Sequence, residues 1–457
     1  MAKFIASDPR QPLLLPVDLR EWVPSDDLSH FVLAAVERVS LDRFRINERG
    51  SGSAQYHPRM MLALLIYCYA NGVFGSRKIE RATYRDLGAR YITADTHPDH
   101  DTICKFRREN FDAVAESFLQ VLLLARELKL LRVGLVSVDG TKVRANASKR
   151  RSVRYDRAKA LAAQLEADIA ELLSKAERAD AQDSPAGQSL PEELARRGKL
   201  KAQLDAACAR LEREAKGRAE RERSSYERKV SARAAREGRR KGRKIQPPKA
   251  MPEGKEQTNL TDPDSGLMRK NKRSAYRQAY NAQCVVDAEG SQLIVGSRVS
   301  RCASDRNELS ADIEAVPVAV GDPKTVLADN GYANGREVAA VESGAVRGRP
   351  MEVLVAVGTE DRRRRYDFRP PAAPKAQAKT VQPWIEAMRA KLDSDAGRAQ
   401  YRLRKQTVEP VFGVIKNVLG FRQFTLRGHT KVQGEWQLVN LAYNCKRLHR
   451  LAMAASG

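Results

Sequence analysis

Residues 133–144 read VGLVSVDGTKVR, and this stretch decides the fold class. Val133–Val138 is a β-branched apolar run of strand length, which predicts a buried strand ending at Asp139-Gly140-Thr141. A carboxylate at that position projects into the crevice where open α/β sheets bind ligands. The next strand signals come far downstream. Tyr280–Asp287 (YNAQCVVD) and Leu293–Ser297 (LIVGS) flank Ala288-Glu289-Gly290-Ser291, a suitable hairpin turn. Asp305–Val316 then predicts a helix, and Thr325–Ala328 (TVLA) a further short strand ending at Asp329. Strand, hairpin, helix, strand is a mixed α/β order.

Between the first strand and the hairpin lies a long interruption, residues 149–275. Leu161, Leu165, Ile169, Leu172 and Ala176 recur at helical spacing, as do Leu200, Leu204, Ala207 and Leu211. The break Asp183-Ser184-Pro185-Ala186-Gly187 predicts two helices folded back as a hairpin. Residues 149–250 hold 28 Lys and Arg against 16 Asp and Glu, a surplus of 12. The second helix runs into Arg236–Lys244, where Arg239, Arg240, Lys241, Arg243 and Lys244 concentrate positive charge. A solvated coiled-coil arm explains the periodicity; an arm that neutralises phosphates also explains the charge imbalance.

Upstream, residues 1–132 predict a helical domain. His57-Pro58 opens an apolar helix that ends at Ala70, before Asn71-Gly72. Ser76–Arg81 opens a second, continuing through YRDLGARYI. Asp99 opens a third, running through Ile103, Phe106, Phe111, Val114, Phe118 and Leu122. Short helices with basic exteriors suit a helix-turn-helix-like DNA reader and equally a plain helical bundle. Downstream, Pro370–Lys375 reads as an extended linker and Trp384–Met388 as helical.

The whole chain of 457 residues is long enough for about three domains at roughly 150 residues each. Lys and Arg total 82 against 57 Asp and Glu, giving +25, which points to a polyanionic partner. MAKFIASDPR has no secretory pattern, and the longest apolar run, Met60–Ala70, is too short to span a bilayer. The six cysteines form no C-x-x-C pair, which argues against a disulfide scaffold and a four-cysteine zinc site and suits a reducing cytosol. His97, His100 and Cys104 have a spacing zinc could use, but without a fourth ligand they read as a turn and helix start.

Asp139 and Asp329 follow predicted strands, and Glu409 lies in KQTVEPVFGVIK, whose Phe412, Ile415 and Leu419 mark one helical face. Three converging carboxylates need a cation between them, and hard oxygen donors select Mg²⁺ or Mn²⁺. Two such ions suit an in-line phosphoryl displacement. Glu409 and Lys416, seven apart, would share a helical face two turns apart. On residue types alone the trio is three acids among 57.

The succession VDGTKV, ADNGYAN and YRLRKQTVEPVFGVIKNVLGFRQFTLRG resembles the DDE transposases of bacterial insertion sequences, most nearly the subgroup named for insertion sequence 1182. HPRMMLALLIYCYANGVFGSRKIE and HPDHDTICKFR are similar to the N-terminal part of such proteins, and NLTDPDSGLM with AYNAQCVVD to the stretch before the second catalytic strand. The resemblance implies an RNase H-like core at 133–148 and 276–457, with Asp139, Asp329 and Glu409 as catalytic metal ligands. It also implies a tyrosine–arginine–glutamate–lysine signature at Tyr401, Arg404, Glu409 and Lys416. Four residues separate Arg404 from Glu409 where the signature commonly has three, so Lys405 competes with Arg404 for the basic position. The expected activity is metal-dependent cleavage and joining of double-stranded DNA, element ends and target, by a homo-oligomer assembled on that DNA in the bacterial cytoplasm at the nucleoid. The alternative is a DNA-binding protein derived from such an enzyme and no longer catalytic. Gly331 and Tyr332 read as a turn followed by either a packing or a DNA-facing ring. Trp384 reads as core packing, with stacking on a flipped base the lesser reading. Arg362–Arg365 reads as an exposed basic loop.

Overall fold

The computed structural model describes residues 18–47, 54–180, 190–235, 245–269, 273–358 and 382–456. The five basic residues Arg239, Arg240, Lys241, Arg243 and Lys244, the Arg362–Arg365 run and the 370–375 segment lie outside these residues.

A mixed sheet organises the molecule. Its strands are β1 (Leu135–Arg144), β4 (Gly266–Met268), β5 (Arg277–Asp287), β6 (Ile294–Ser300), β7 (Thr325–Ala328) and β8 (Glu352–Val355); β2 (Ser152–Arg154) and β3 (Gln257–Asn259) form a separate small pair. Across the main sheet the order is β6, β5, β1, β7, β8, with β4 sharing the β6 edge of β5. β1 is antiparallel to β5 and β5 to β6, whereas β7 and β8 run parallel to β1. The predicted strand end at Asp139 is corrected. β1 continues to Arg144, because β5 pairs with it residue by residue from Val136 to Arg144. What ends near Asp139 is the neighbour, since β7 stops at Ala328, opposite Val138.

Helices cover the sheet. In the N-terminal part, α1 (Leu28–Glu37), α2 (Pro58–Ala70), α3 (Ser76–Arg85), α4 (Leu87–Ile92), α5 (His100–Glu109) and α6 (Phe111–Glu127) follow in sequence. Met61–Ala70 of α2 is buried on every side, as expected of a helix apolar all round. The predicted second and third helices each divide in two. Asp86 leaves the helical region and accepts the Ala89 N–H, starting α4 afresh. Asn110 breaks at the α5–α6 junction and donates its amide to Phe106 O while accepting the Arg45 N–H.

The last helix, α13 (His429–Ser456), packs on both α2 and β6 and joins the N-terminal helices and the sheet into one hydrophobic core. Its buried amides act as a surrogate strand. Asn444 accepts the Ile294 N–H at 2.9 Å and donates to Ile294 O at 2.8 Å, and Gln433 accepts the Val299 N–H at 2.7 Å. These bonds satisfy the open edge of β6, which otherwise would expose pairing groups.

The interruption forms the predicted helical hairpin, α7 (Tyr155–Asp180) against α8 (Leu190–Ala234), footed on β2 and β3. Ala158, Ala162, Leu204, Cys208 and Leu211 form a small core of its own at the foot. Higher up, Arg197 pairs with Asp168 and Glu193, and Lys201 with Asp205 and Glu166. α9 (Leu309–Glu314) precedes β7, and α10 (Gly335–Glu342), α11 (Pro383–Asp393) and α12 (Asp395–Gly413) follow it, the last continuing into a π-helical turn at Val414–Val418. Among the described residues no helix is long and apolar enough to cross a membrane.

Candidate active site

The parallel register places Asp329, one residue beyond Ala328, beside Asp139 on the face of the sheet covered by α12. Neighbouring strands lie about 4.8 Å apart, so two carboxylates meet there despite a separation of 190 positions in the chain. Each is held by a backbone donor. Gly140 N–H reaches Asp139 Oδ1 at 2.7 Å, and Gly331 N–H reaches Asp329 Oδ1 at 2.7 Å. Burial, then the Asp329 carboxylate, push the Asp139 carboxyl up to about 7, against the pull of the Gly140 N–H and Arg404. Burial likewise raises Asp329, opposed by the Gly331 N–H, Arg404 and Lys142. Two mutually repelling, partly desolvated carboxylates make a site that a cation would stabilise.

A third carboxylate, Asp305, stands at the same point from the opposite face; the sequence reading placed it only at a helix start. Its Oδ1 accepts from Asn281 Nδ2 at 2.6 Å and Gln283 Nε2 at 2.8 Å, and Lys142 Nζ approaches Oδ2 at 3.3 Å. Asp305 raises both Asp139 and Asp329 electrostatically. Gly140 makes this proximity possible, because a β-carbon there would lie 2.4 Å from Gln283 Nε2 and 2.6 Å from Asp305 Oδ1. The alternation of β5 was the available signal, since Asn281 and Gln283 are buried polar residues two apart on one face.

The helix supplies the remaining groups. Arg404 is buried and lowers the proton affinity of both aspartates, whereas Lys405 is exposed. Its guanidinium meets Glu409 Oε1 at 3.4 Å and lies over the Tyr401 ring at 5.9 Å; its Nε is buried without an acceptor among the described residues. Tyr401 donates its hydroxyl to Ala328 O at 3.2 Å, fixing α12 to the end of β7. Glu409 is 54% exposed and paired with Arg404. Among the described residues no three His, Cys, Asp or Glu side chains stand close enough together to hold one ion. The structure thus joins Asp139 to Asp329 and keeps the Glu409 carboxylate beside Arg404.

Beyond Glu409 the chain passes into a π turn at Val414–Val418, and Lys416 reaches β1, donating to Thr141 Oγ1 and to Lys142 O at 3.0 Å. Tyr332 is fully buried with its hydroxyl on Gln283 Oε1, which excludes the DNA-facing alternative. Trp384 lies half-buried over Gly335, its Nε1–H donating to Gln382 at 2.6 Å. His97 stacks on Tyr84 and contacts Thr83, His100 contacts Glu80, and Asp99 caps α5 at the predicted start.

Two segments of the chain match known families. Residues 372–449, which include Tyr401, Arg404, Glu409 and Lys416, match a family described as a transposase DDE domain. Residues 17–109 match one described as a transposase domain, of the group designated DUF772. Together the two matches indicate a transposase function. No curated protein and no solved structure matches the chain.

Proposed function

We propose that this protein is a DDE-type transposase, of the subgroup named for insertion sequence 1182, that cleaves and joins DNA through a divalent-metal site at Asp139, Asp329 and Glu409. The observation that carries the proposal is the adjacent pair Asp139–Asp329 on parallel strands, with a conformationally separate glutamate on the helix packed over them. The strand order β6, β5, β1, β7, β8, in which β5 alone runs antiparallel to β1, supports an RNase H-like reading of the core.

The donor set fits Mg²⁺ or Mn²⁺. Asp139 and Asp329 supply adjacent hard carboxylate oxygens whose proton affinity burial raises, and Glu409 on the covering helix adds a third carboxylate. When bound, a pair of such ions supplies an activated attacking oxygen and charge neutralisation at the leaving oxygen. The chain's own residues do the rest. Lys142 and Arg404 provide positive charge beside the aspartates, and the orphan Nε of Arg404 is suited to a phosphate oxygen. A phosphate engaged by Arg404 competes with Glu409 for the guanidinium and frees that carboxylate to join Asp139 and Asp329. Water is the first nucleophile and a released 3′-hydroxyl the second, so no covalent protein–DNA intermediate is needed.

The test is a cleavage and joining assay on DNA carrying the element's ends, run beside a gel shift on the same preparations. Asp139→Asn, Asp329→Asn and Glu409→Gln should each abolish cleavage while leaving end binding in place. Variants that cut like wild type would place the chemistry elsewhere. Tight end binding by a wild type that never cuts in Mg²⁺ or Mn²⁺ would favour the non-catalytic DNA-binding alternative.

A further inference from the structure

At the foot of the helical hairpin, where β2 and β3 meet α7 and α8, lies a groove of about 810 Å³. Lys149, Arg150, Arg151, Arg154 and Arg157 line it, all exposed. None of the five is ion-paired among the described residues; Arg151 alone makes a side-chain hydrogen bond, to Gln203 at 3.1 Å. Among the described residues the groove contains two acids, Asp156 and Asp168, and Asp168 is committed to Arg197. Among the described residues no aromatic ring lines it, so these offer nothing on which a base could stack. Five cations facing those two acids over aliphatic side chains suit a phosphodiester backbone.

In sequence the groove's first lining residue, Lys149, lies ten positions beyond Asp139. β1 leads from Asp139 to Arg144, roughly 16 Å at about 3.3 Å per residue, or about five base-pair steps. Beyond Val138 that edge of β1 pairs with no strand among the described residues until the isolated bridge of Arg144 with Gln423. Three arginines at this end are fixed by hydrogen bonds and carry no ion pair among the described residues. Arg144 N–H donates to Arg422 O at 3.3 Å, Arg422 Nε to Lys416 O at 2.9 Å, and Arg427 Nε to Asn146 O at 2.9 Å. Lys149 follows five residues after Arg144.

We infer that the hairpin foot is a duplex-DNA backbone site, and that Arg144, Arg422 and Arg427 lead the DNA from the carboxylate pair into it. The inference rests on the DNA-processing reading above and assigns to the foot the segment flanking the reacting phosphate. Contacts of this kind hold register and carry no base information, so the site binds all sequences alike.

The experiment uses the full chain carrying Lys149→Gln, Arg150→Gln, Arg154→Gln and Arg157→Gln, all surface changes. Affinity for a duplex of unrelated sequence is followed by fluorescence anisotropy between about 50 and 200 mM salt. Each lost phosphate contact lowers the slope of log K against log salt by about 0.9, so the expected drop is about 1.8 to 3.6. A control removes four hairpin charges that do not line the groove, Lys175, Arg196, Lys199 and Lys201 each to Gln, and should keep the wild-type slope. A foot variant with an unchanged slope overturns the assignment and leaves the transposase reading intact. So does an equal drop in the control variant, which would reflect the general field, or a loss confined to single-stranded DNA. A wild type that binds no duplex at all overturns both readings.

Discussion

Asp139→Asn should make the metal-free protein more stable while destroying its chemistry. In the fold, burial and the Asp329 carboxylate raise the Asp139 carboxyl from an ordinary 3.8 to about 7. Between those values the folded chain binds more protons at this residue than the unfolded chain does. Stability therefore falls as pH rises through that window. At 1.36 kcal/mol per pH unit, the penalty approaches roughly 4 kcal/mol above pH 7, and about 2.5 kcal/mol of it develops between pH 5 and 8. Asparagine has the same size, keeps an acceptor for the Gly140 N–H and carries no charge to desolvate. Urea unfolding, followed by tryptophan emission with Trp436 buried against Gln283 O, should show the wild type losing stability from pH 5 to 8 relative to the variant. At pH 8 the variant should be the more stable of the two, and added Mg²⁺ should stabilise only the wild type. Parallel pH profiles for the two proteins would refute the reasoning, because Asp139 would then be no more strained than a surface carboxylate.

Three further outcomes follow from the same geometry. Arg404→Gln should reduce cleavage by about 10²- to 10³-fold, the usual loss for one charge-stabilising group, with end binding in a gel shift little changed. Gly140→Ala should destabilise the fold by about 1–3 kcal/mol in urea unfolding, because its β-carbon meets Gln283 and Asp305 inside 3 Å; an unchanged midpoint would show that Gln283 can move aside. Asp305→Asn should raise the Mg²⁺ concentration needed for half-maximal cleavage, and an unchanged requirement would confine Asp305 to holding Asn281, Gln283 and Lys142.

Much of this architecture was legible in the chain because local patterns coincide with buried surfaces. The apolar helix from Pro58 to Ala70, the Tyr280–Ser297 hairpin and the TVLA strand before Asp329 all carry periodicities that burial enforces. The arm's helical hairpin was legible for the same reason, since Leu204 and Leu211 pack where the spacing put them. Features set by pairing across distance were not. The length of β1 depends on β5, more than 130 residues away, and no local signal distinguishes Asp139 at a strand's end from Asp139 inside one. β8 (Glu352–Val355) was missed; it is the end strand of the sheet path and pairs with β7 alone among the described residues. At the site, strand ends pointed to Asp139 and Asp329, and the family resemblance added Glu409 with Arg404 or Lys405 as the basic group. The contact of Lys416 with Thr141 and the ion pair that holds Glu409 depend on tertiary contacts with β1 and Arg404.

The most direct measurement is the anomalous scattering of Mn²⁺ in crystals of the protein bound to its end DNA. The proposal predicts a manganese peak between the Asp139 and Asp329 carboxylates, with Glu409 turned away from Arg404 to complete the ligand set and Arg404 on a phosphate oxygen. Manganese bound elsewhere, or none at Asp139 and Asp329 while DNA lies across them, would contradict it.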